Sequence, residues 1–178
     1  MKSKLFLAVL LLTPLLVVLS ATLFFQAGFS PKYTKNNGVL FNEYFDVSKL
    51  GLISDSKDLK FDDGKWIFAI YAIRNQDLEK ALYLMRQLNI ALNRDINKLK
   101  RVVFSFEESH ISDQLIDYPR TEIIIDPDDK LFFELLREDH KYFDQQKIFL
   151  IDPYGRAVMY FPVSMDPKLI LKDLKVLI

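Results

Sequence analysis

The sequence predicts an α/β domain carried behind one apolar N-terminal helix. Three observations predict it. Residues 5–25 form an apolar run without a charge. Short, almost wholly apolar segments such as Trp66–Ala72 suit strands buried on both faces. Between them lie segments whose apolar residues recur every three or four positions, the signature of amphipathic helices. Half of the 178 residues are hydrophobic, with 15 Phe and 8 Tyr, which argues against disorder. Setting aside about 30 residues for the anchor and a stalk leaves one ordinary domain with enough chain to bury a core. Lys and Arg (24) cancel Asp and Glu (24), so there is no basic footprint for nucleic acid. The absence of Cys excludes disulfides, thiolate nucleophiles, Cys–zinc sites and Cys acylation together.

The apolar run reads LFLAVLLLTPLLVVLSATLFF, about the 20 residues that span a bilayer core. In hydrocarbon only a helix satisfies its own backbone, so a transmembrane helix over 5–25 is expected. Pro14 marks a position where such a helix tolerates a kink. Lys2 and Lys4 precede the run, which keeps residues 1–4 cytoplasmic and places the body on the periplasmic or extracytoplasmic side of the inner membrane, behind a single pass. Lys32 and Lys35 soften that asymmetry. The competing reading is a cleaved signal peptide, whose apolar region is shorter and ends on small residues. Here Phe25-Gln26-Ala27 puts a bulky residue at the cut, so a signal anchor is the preferred reading.

Residues 26–37 read as a polar stalk, with Pro31, Lys32, Lys35 and an Asn36-Asn37-Gly38 turn signal. The domain is expected over 38–178. Residues 39–41 read as a short first strand; 45–53 is mixed, with Gly51 interrupting, and has room for another short strand. Trp66–Ala72 (WIFAIYA) leads into a helix that Asn75 or Asp77 is placed to cap. Leu78, Ala81, Leu82, Met85, Leu88 and Leu92 form its apolar stripe. Residues 101–106 (RVVFSF) predict the next core strand, and Thr121–Ile125 (TEIII) fits either a short edge strand or a loop. Asp126-Pro127-Asp128 is expected to start a helix, with Pro near its first turn and a stripe of Leu131, Phe132, Leu135 and Leu136. Lys147–Ile151 and residues 157–161 make a hairpin around Asp152-Pro153-Tyr154-Gly155. Asp166-Pro167 opens a last helix that buries Leu169, Ile170, Leu174 and Ile178. A strand–helix–strand core followed by a helix, a hairpin and a closing helix is the thioredoxin-like arrangement.

Glu107, Glu108 and His110 follow the strand at 101–106, at the strand end where open α/β sheets place their sites. With His140 they make one candidate metal or acid–base site. The plainer reading is a solvated loop, and for His140 a cation at the negative end of a helix. Asp126, Asp128, Asp129, Glu134, Glu138 and Asp139 form the strongest acidic cluster but lack the Gly and spacing of a calcium loop. Capping and solvation account for it, with a partner-facing acidic patch as the alternative. Met85 and Met159 fall on core positions and Met165 in a loop, and Trp66 opens a core strand. There is no G-x-S-x-G, Walker A, G-x-G-x-x-G or H-E-x-x-H motif. No catalytic residue, metal ligand or cofactor is assigned, and the chain is expected not to be an enzyme.

The anchored body, the Asn37-Gly38 pair before a short strand, the strand WIFAIYA leading into a helix, and the Ile148-Phe149-Leu150-Ile151-Asp152-Pro153-Tyr154-Gly155 hairpin resemble the Sco/SenC proteins. Those are membrane-anchored, thioredoxin-like proteins that deliver copper to cytochrome c oxidase. The segment Ala81-Leu82-Tyr83-Leu84-Met85-Arg86-Gln87 is similar to a branch of small membrane proteins associated with oxidase assembly in proteobacteria. The resemblance covers most of residues 37–178. It implies a Cys-x-x-x-Cys between the first core strand and its helix, but Arg74 and Leu78 hold those places. It also implies a copper-binding His shortly before the IDPxG strand, where the matching place is near Asp144.

What the resemblance implies is therefore a degenerate member: scaffold and partner without the metal. The expected function is that of a membrane-tethered accessory protein of oxidase biogenesis that binds oxidase subunits or copper-insertion factors. The alternatives are a general binding module of the envelope and a His/Glu metal enzyme built on Glu107, Glu108, His110 and His140.

Overall fold

The computed structural model describes residues 2–26, 36–54, 61, 63–73, 78–107 and 111–178. The chain divides into two units, Met1–Lys35 and Asn36–Ile178.

The first unit contains helix α1 (Lys2–Gln26), 25 residues with Pro14 inside. Proline removes the N–H that Leu10 O expects four residues on. The hydroxyl of Thr13 supplies the missing donor, lying 3.2 Å from Leu10 O and 3.1 Å from Val9 O. Ser20 and Thr22 likewise turn their hydroxyls back onto Val17 O (2.9 Å) and Val18 O (2.8 Å), so the helix hides its polar atoms in its own backbone. Every described side chain of α1 is exposed. Among the described residues no helix is long and apolar enough to cross a membrane.

The second unit is a seven-stranded sheet in the order β1-β7-β6-β3-β4-β5-β2. In chain order the elements are β1 (Val39–Asp46), β2 (Ile53–Ser54), β3 (Trp66–Ala72), α2 (Glu79–Ala91), β4 (Leu99–Ser105), α3 (Ser112–Leu115), β5 (Thr121–Ile125), α4 (Lys130–Glu138), β6 (Lys147–Ile151), β7 (Arg156–Pro162) and α5 (Pro167–Leu177). β3, β4 and β5 run parallel; β6, β7, β1 and β2 pair antiparallel.

Strand alternation divides the core in two. Phe68, Ile70 and Ala72 of β3 face one side with Leu99, Val103, Ile148, Leu150, Met159 and Phe161, under the buried stripes of α2 and α5. Ile67, Ala69 and Tyr71 face the other with Val102, Phe104, Phe149 and Ile151, against Leu131 and Leu135 of α4. This double burial is why WIFAIYA has no polar face. The α2 stripe is buried as its spacing predicts: Leu78, Ala81, Leu82, Met85, Leu88 and Leu92 are each 5% exposed or less. Asn75 and Asp77 lie outside the described residues; Leu78 occupies the position before the helix and makes no side-chain cap.

Four expectations are corrected. The first strand runs to Asp46, its register with β7 broken between Leu40 and Phe45. TEIII is neither a loop nor an edge: it pairs β4 along its whole length, and the two-residue β2 lies outside it. The helix after TEIII starts at Lys130, not at Asp126-Pro127. Residues 126–129 make a turn first, Asp129 N bonding Asp126 O at 3.3 Å, with Asp129 left-handed at φ 56°. In α5, Asp166 caps and Pro167 begins the helix as expected, but Leu169 is exposed. Ile170 and Leu174 fill the core position, and the inward place between them goes to Asp173.

Asp173 is buried because it fastens the start of the domain. Its carboxylate accepts from Asn37 N (2.6 Å), Asn37 Nδ2 (2.7 Å) and Gly38 N (2.8 Å). The Asn37-Gly38 pair is thus a latch onto α5.

Candidate functional site

The register brings several strand ends to one edge of the sheet. Ala72 pairs Ser105, Ser105 pairs Ile125, and Ile70 faces Ile148 of the antiparallel β6. The carboxyl ends of β3, β4 and β5 therefore lie beside the start of β6, the end where open α/β sheets place sites.

An aromatic cluster closes this end on the α4 side. Tyr71 lies 5.4 Å from Phe106, 5.8 Å from Phe132 and 5.7 Å from Phe143, ring centre to ring centre; Phe132 and Phe143 stack at 4.7 Å. Beneath it, Tyr71 donates its hydroxyl to Asp126 Oδ2 at 3.0 Å. Asp126 is fully buried and also accepts from Lys130 N (3.0 Å) and Phe132 N (3.1 Å), the first turn of α4. Burial, then the charge of Asp126, pushes the Tyr71 phenol far above its ordinary range. Capping was expected of Asp126, but its full burial corrects the idea of a solvated acidic cluster. Four of the other five acids disperse to separate partners: Asp128 to Lys130, Glu134 to Arg137, Glu138 to the backbone of Asn42, and Asp139 to Lys147.

Lys147, at the start of β6, is a second feature the sequence did not reveal. Its ammonium bonds Asp139 Oδ2 (2.8 Å) and Lys141 O (3.0 Å), and lies 4.8 Å and 5.3 Å from the ring centres of Tyr142 and Tyr160. The Tyr142 hydroxyl is buried without a partner, and burial holds its proton on well above the ordinary range. The hydrogen bond from Lys147 holds the Asp139 carboxyl below its usual value, against partial burial. The unfolded chain then binds a proton more readily than the folded one. Asp139 accordingly contributes stability above its unfolded pKa of about 4, lost as pH falls through the lower folded value. Asp139→Asn is expected to flatten the acid limb of the unfolding midpoint below about pH 4. Asp46 and Asp63, also held low despite burial by hydrogen bonds from Lys49 and Lys100, leave a residual slope. An acid limb identical to that of the parent protein would contradict this.

A shallow cleft of about 280 Å³ lies at the same end, lined by Lys80 of α2, Gln145, Gln146, Val163 and Ser164. Gln146 O accepts from Val163 N at 2.9 Å, which fixes its far wall. The cleft offers an ammonium, two amides and a hydroxyl. This set binds by hydrogen bonds and includes no nucleophile paired with a base.

The candidate residues are not gathered into one site. Arg74, Glu108 and His110 lie outside the described residues. Glu107 is exposed just past β4, its N–H and carbonyl both engaged by Ser105 Oγ. His140 is exposed beyond the end of α4. Leu78 is 1% exposed, packed under α2 on one face of the sheet. Asp144 is exposed, and its neighbours Tyr142 and Phe143 pack on the other face. Among the described residues no group of three His, Asp or Glu is placed to hold a metal ion. Met85 and Met159 are buried core, and Met165 is half-buried.

The family described as "Transmembrane-like, thioredoxin-like, C-terminal domain" matches residues 74–178. The chain belongs to this family. Its fold is also that of solved Sco proteins. Apo Sco1 from Thermus thermophilus is 12% identical over 83% of this chain and 100% of that one, with a TM-score of 0.54. BsSco, described as a member of the Sco family of cytochrome c oxidase assembly proteins, is 14% identical over 82% and 97%, TM-score 0.52. Yeast Sco1 with copper bound is 13% identical over 62% and 76%, TM-score 0.50. At these identities the likeness is one of fold. No curated protein matches the chain.

The copper(I) implied by the Sco resemblance does not fit the residues at the matching positions. Copper(I) favours thiolate, thioether or imidazole donors. Leu78 has no donor atom and is sealed in the core, Asp144 offers only hard oxygen, and an arginine such as Arg74 is a fixed cation.

Proposed function

We propose that this thioredoxin-like protein is a membrane-tethered accessory factor of cytochrome c oxidase biogenesis that acts by protein binding, without thiol redox chemistry, Sco-type copper ligation or catalysis. The observation that carries the reading is the contrast at the sheet end. The scaffold is whole, while the ligand position Leu78 is core packing and the chain has no Cys. The link to oxidase rests on the fold shared with proteins such as BsSco. The cleft of Lys80, Gln145, Gln146 and Ser164 supplies the hydrogen-bonding groups that a protein partner engages.

The tether in this proposal is α1, a single span with residues 1–4 cytoplasmic and the thioredoxin-like domain periplasmic. Its support is the 25-residue length, the charge-free run over 5–25, and the Thr13, Ser20 and Thr22 hydroxyls that satisfy backbone carbonyls within the helix. Lys2 and Lys4 favour that orientation. A tether confines the domain beside its target and raises its effective concentration there.

The test is co-purification of the C-terminally tagged chain from membranes in mild detergent, against a control carrying residues 1–37 alone. Oxidase subunits or copper-insertion factors enriched over the control are the expected result. Their absence, with the tagged protein present and folded, overturns the oxidase link and leaves a general envelope-binding module.

A further inference from the structure

Away from the sheet end, three arginines gather at the segment Asp117 to Arg120, with no ion-pair partner among the described residues. Arg101 sits in β4 between Leu99 and Val103, so alternation turns it towards α2. It is 6% exposed, one of few charged residues in the core. Its Nη2 donates to Pro119 O, while Nη1 is buried with no partner. Arg86, on the exposed face of α2, reaches the same segment and donates Nη1 to Asp117 O at 3.3 Å. Arg120, left-handed at φ 66°, is exposed at the end of that segment and has no ion pair among the described residues. Burial and then the charges of Arg86 and Arg120 act against protonation of Arg101.

The plain reading is that Arg86 and Arg101 staple the turn before β5. It accounts for two hydrogen bonds but not for the charge. Carbonyl oxygens offer only partial negative charge, and guanidinium does not shed its proton in proteins. Among the described residues no salt bridge reaches any of the three. Glu122 is close in sequence, but the Ile123 and Ile124 pattern in β5 turns its side chain to the opposite face of the sheet. Three mutually repelling cations, one of them buried, are a standing demand for an anion.

We infer that Arg86, Arg101 and Arg120 form a phosphate-binding site, in which the two exposed guanidinium groups grip the phosphate and buried Arg101 adds its charge from beneath. A phosphate dianion suits this set better than a single carboxylate. It has enough charge for more than one arginine and enough oxygens for two guanidinium forks. The phosphate comes either free or on a lipid headgroup. Exposed Tyr83, one turn before Arg86, and exposed Ile116, beside Asp117, give an apolar border that lipid chains would use.

The experiment uses the full chain in neutral detergent. Calorimetric titration with inorganic phosphate, and separately with monomeric short-chain phosphatidic acid, is run at constant ionic strength against chloride. Phosphate is expected to bind saturably and to raise the unfolding midpoint where chloride does not. Arg120→Gln, which removes one of the three repelling charges and no hydrogen bond among the described residues, is expected to weaken binding at least about tenfold without lowering the midpoint in the absence of phosphate. An Arg86→Gln/Arg120→Gln double variant should abolish binding. Short-chain lipid bound at least about tenfold more tightly than inorganic phosphate assigns the site to a headgroup; equal affinities assign it to free phosphate. No saturable binding of either, or Arg120→Gln binding as the parent does, overturns the inference.

Discussion

Asp126→Ala is expected to destabilise the thioredoxin-like domain by about 3–5 kcal/mol, the range for breaking a buried network. The carboxylate is fully buried and accepts from Tyr71 Oη in a buried bond and from Lys130 N and Phe132 N in part-buried ones. Truncation leaves those donors without partners, and the two N–H groups belong to the open first turn of α4. The same change opens a gap under the Tyr71, Phe132 and Phe143 rings. Asp126→Asn keeps one acceptor and turns an NH2 towards donors, so an intermediate loss of about 1–3 kcal/mol is expected. Tyr71→Phe removes a donor with its proton and should cost only about 1 kcal/mol. Denaturant unfolding followed by Trp66, the one tryptophan, measures all three. An Asp126→Ala loss below about 1 kcal/mol would contradict this account of the sheet end.

Gly38→Ala is expected to cost about 2–4 kcal/mol, by overpacking and by loosening the latch to α5. A methyl at Gly38 would meet the Phe161 ring, at distances including 2.8 Å to Cδ1, closer than real Cβ contacts come. Phe161 is fully buried, so its ring has nowhere to go. Moving the backbone instead pulls Asn37 and Gly38 away from the Asp173 carboxylate, which accepts three hydrogen bonds from them. Asn37→Ala, which removes a side-chain donor without steric conflict, is expected to cost about 1 kcal/mol and serves as the comparison. If Gly38→Ala unfolds at the same denaturant concentration as the parent, the close approach to Phe161 is not a constraint on the domain.

Much of the fold was legible because strand and helix periods were clean. WIFAIYA, KIFLI and the α2 stripe are each dictated by burial on known faces. TEIII was ambiguous because its pairing partners, β4 and the two-residue β2, are distant in sequence, and β2 carries no pattern of its own. The start of α4 was misplaced because Asp-Pro reads as a helix opening. At Asp166-Pro167 it is one, the carboxylate accepting from Lys168 N. At Asp126-Pro127 and Asp152-Pro153 the Asp instead ends a strand and gathers N–H groups further on: Lys130 and Phe132 in one case, Tyr154 and Arg156 in the other. The shared signal was an Asp directly after an aliphatic strand that ends in isoleucine, Ile125 and Ile151. The Lys147 and Arg101 environments left no such mark, because their partners lie in the irregular segments before β6 and β5 and largely offer backbone carbonyls or rings, which carry no periodic pattern.

The proposed function joins a Sco-like fold to the loss of Sco-type copper ligation. The measurement that tests it most directly is competition for copper(I) between the full chain in detergent and a colorimetric copper(I) chelator. The chelator is expected to keep all of its copper(I), because Leu78 is buried core without a donor and Asp144 is a hard, exposed carboxylate. Retention of one copper(I) per chain against the chelator would contradict it, and would mean that the protein builds a soft-ligand site from residues other than those the Sco resemblance points to.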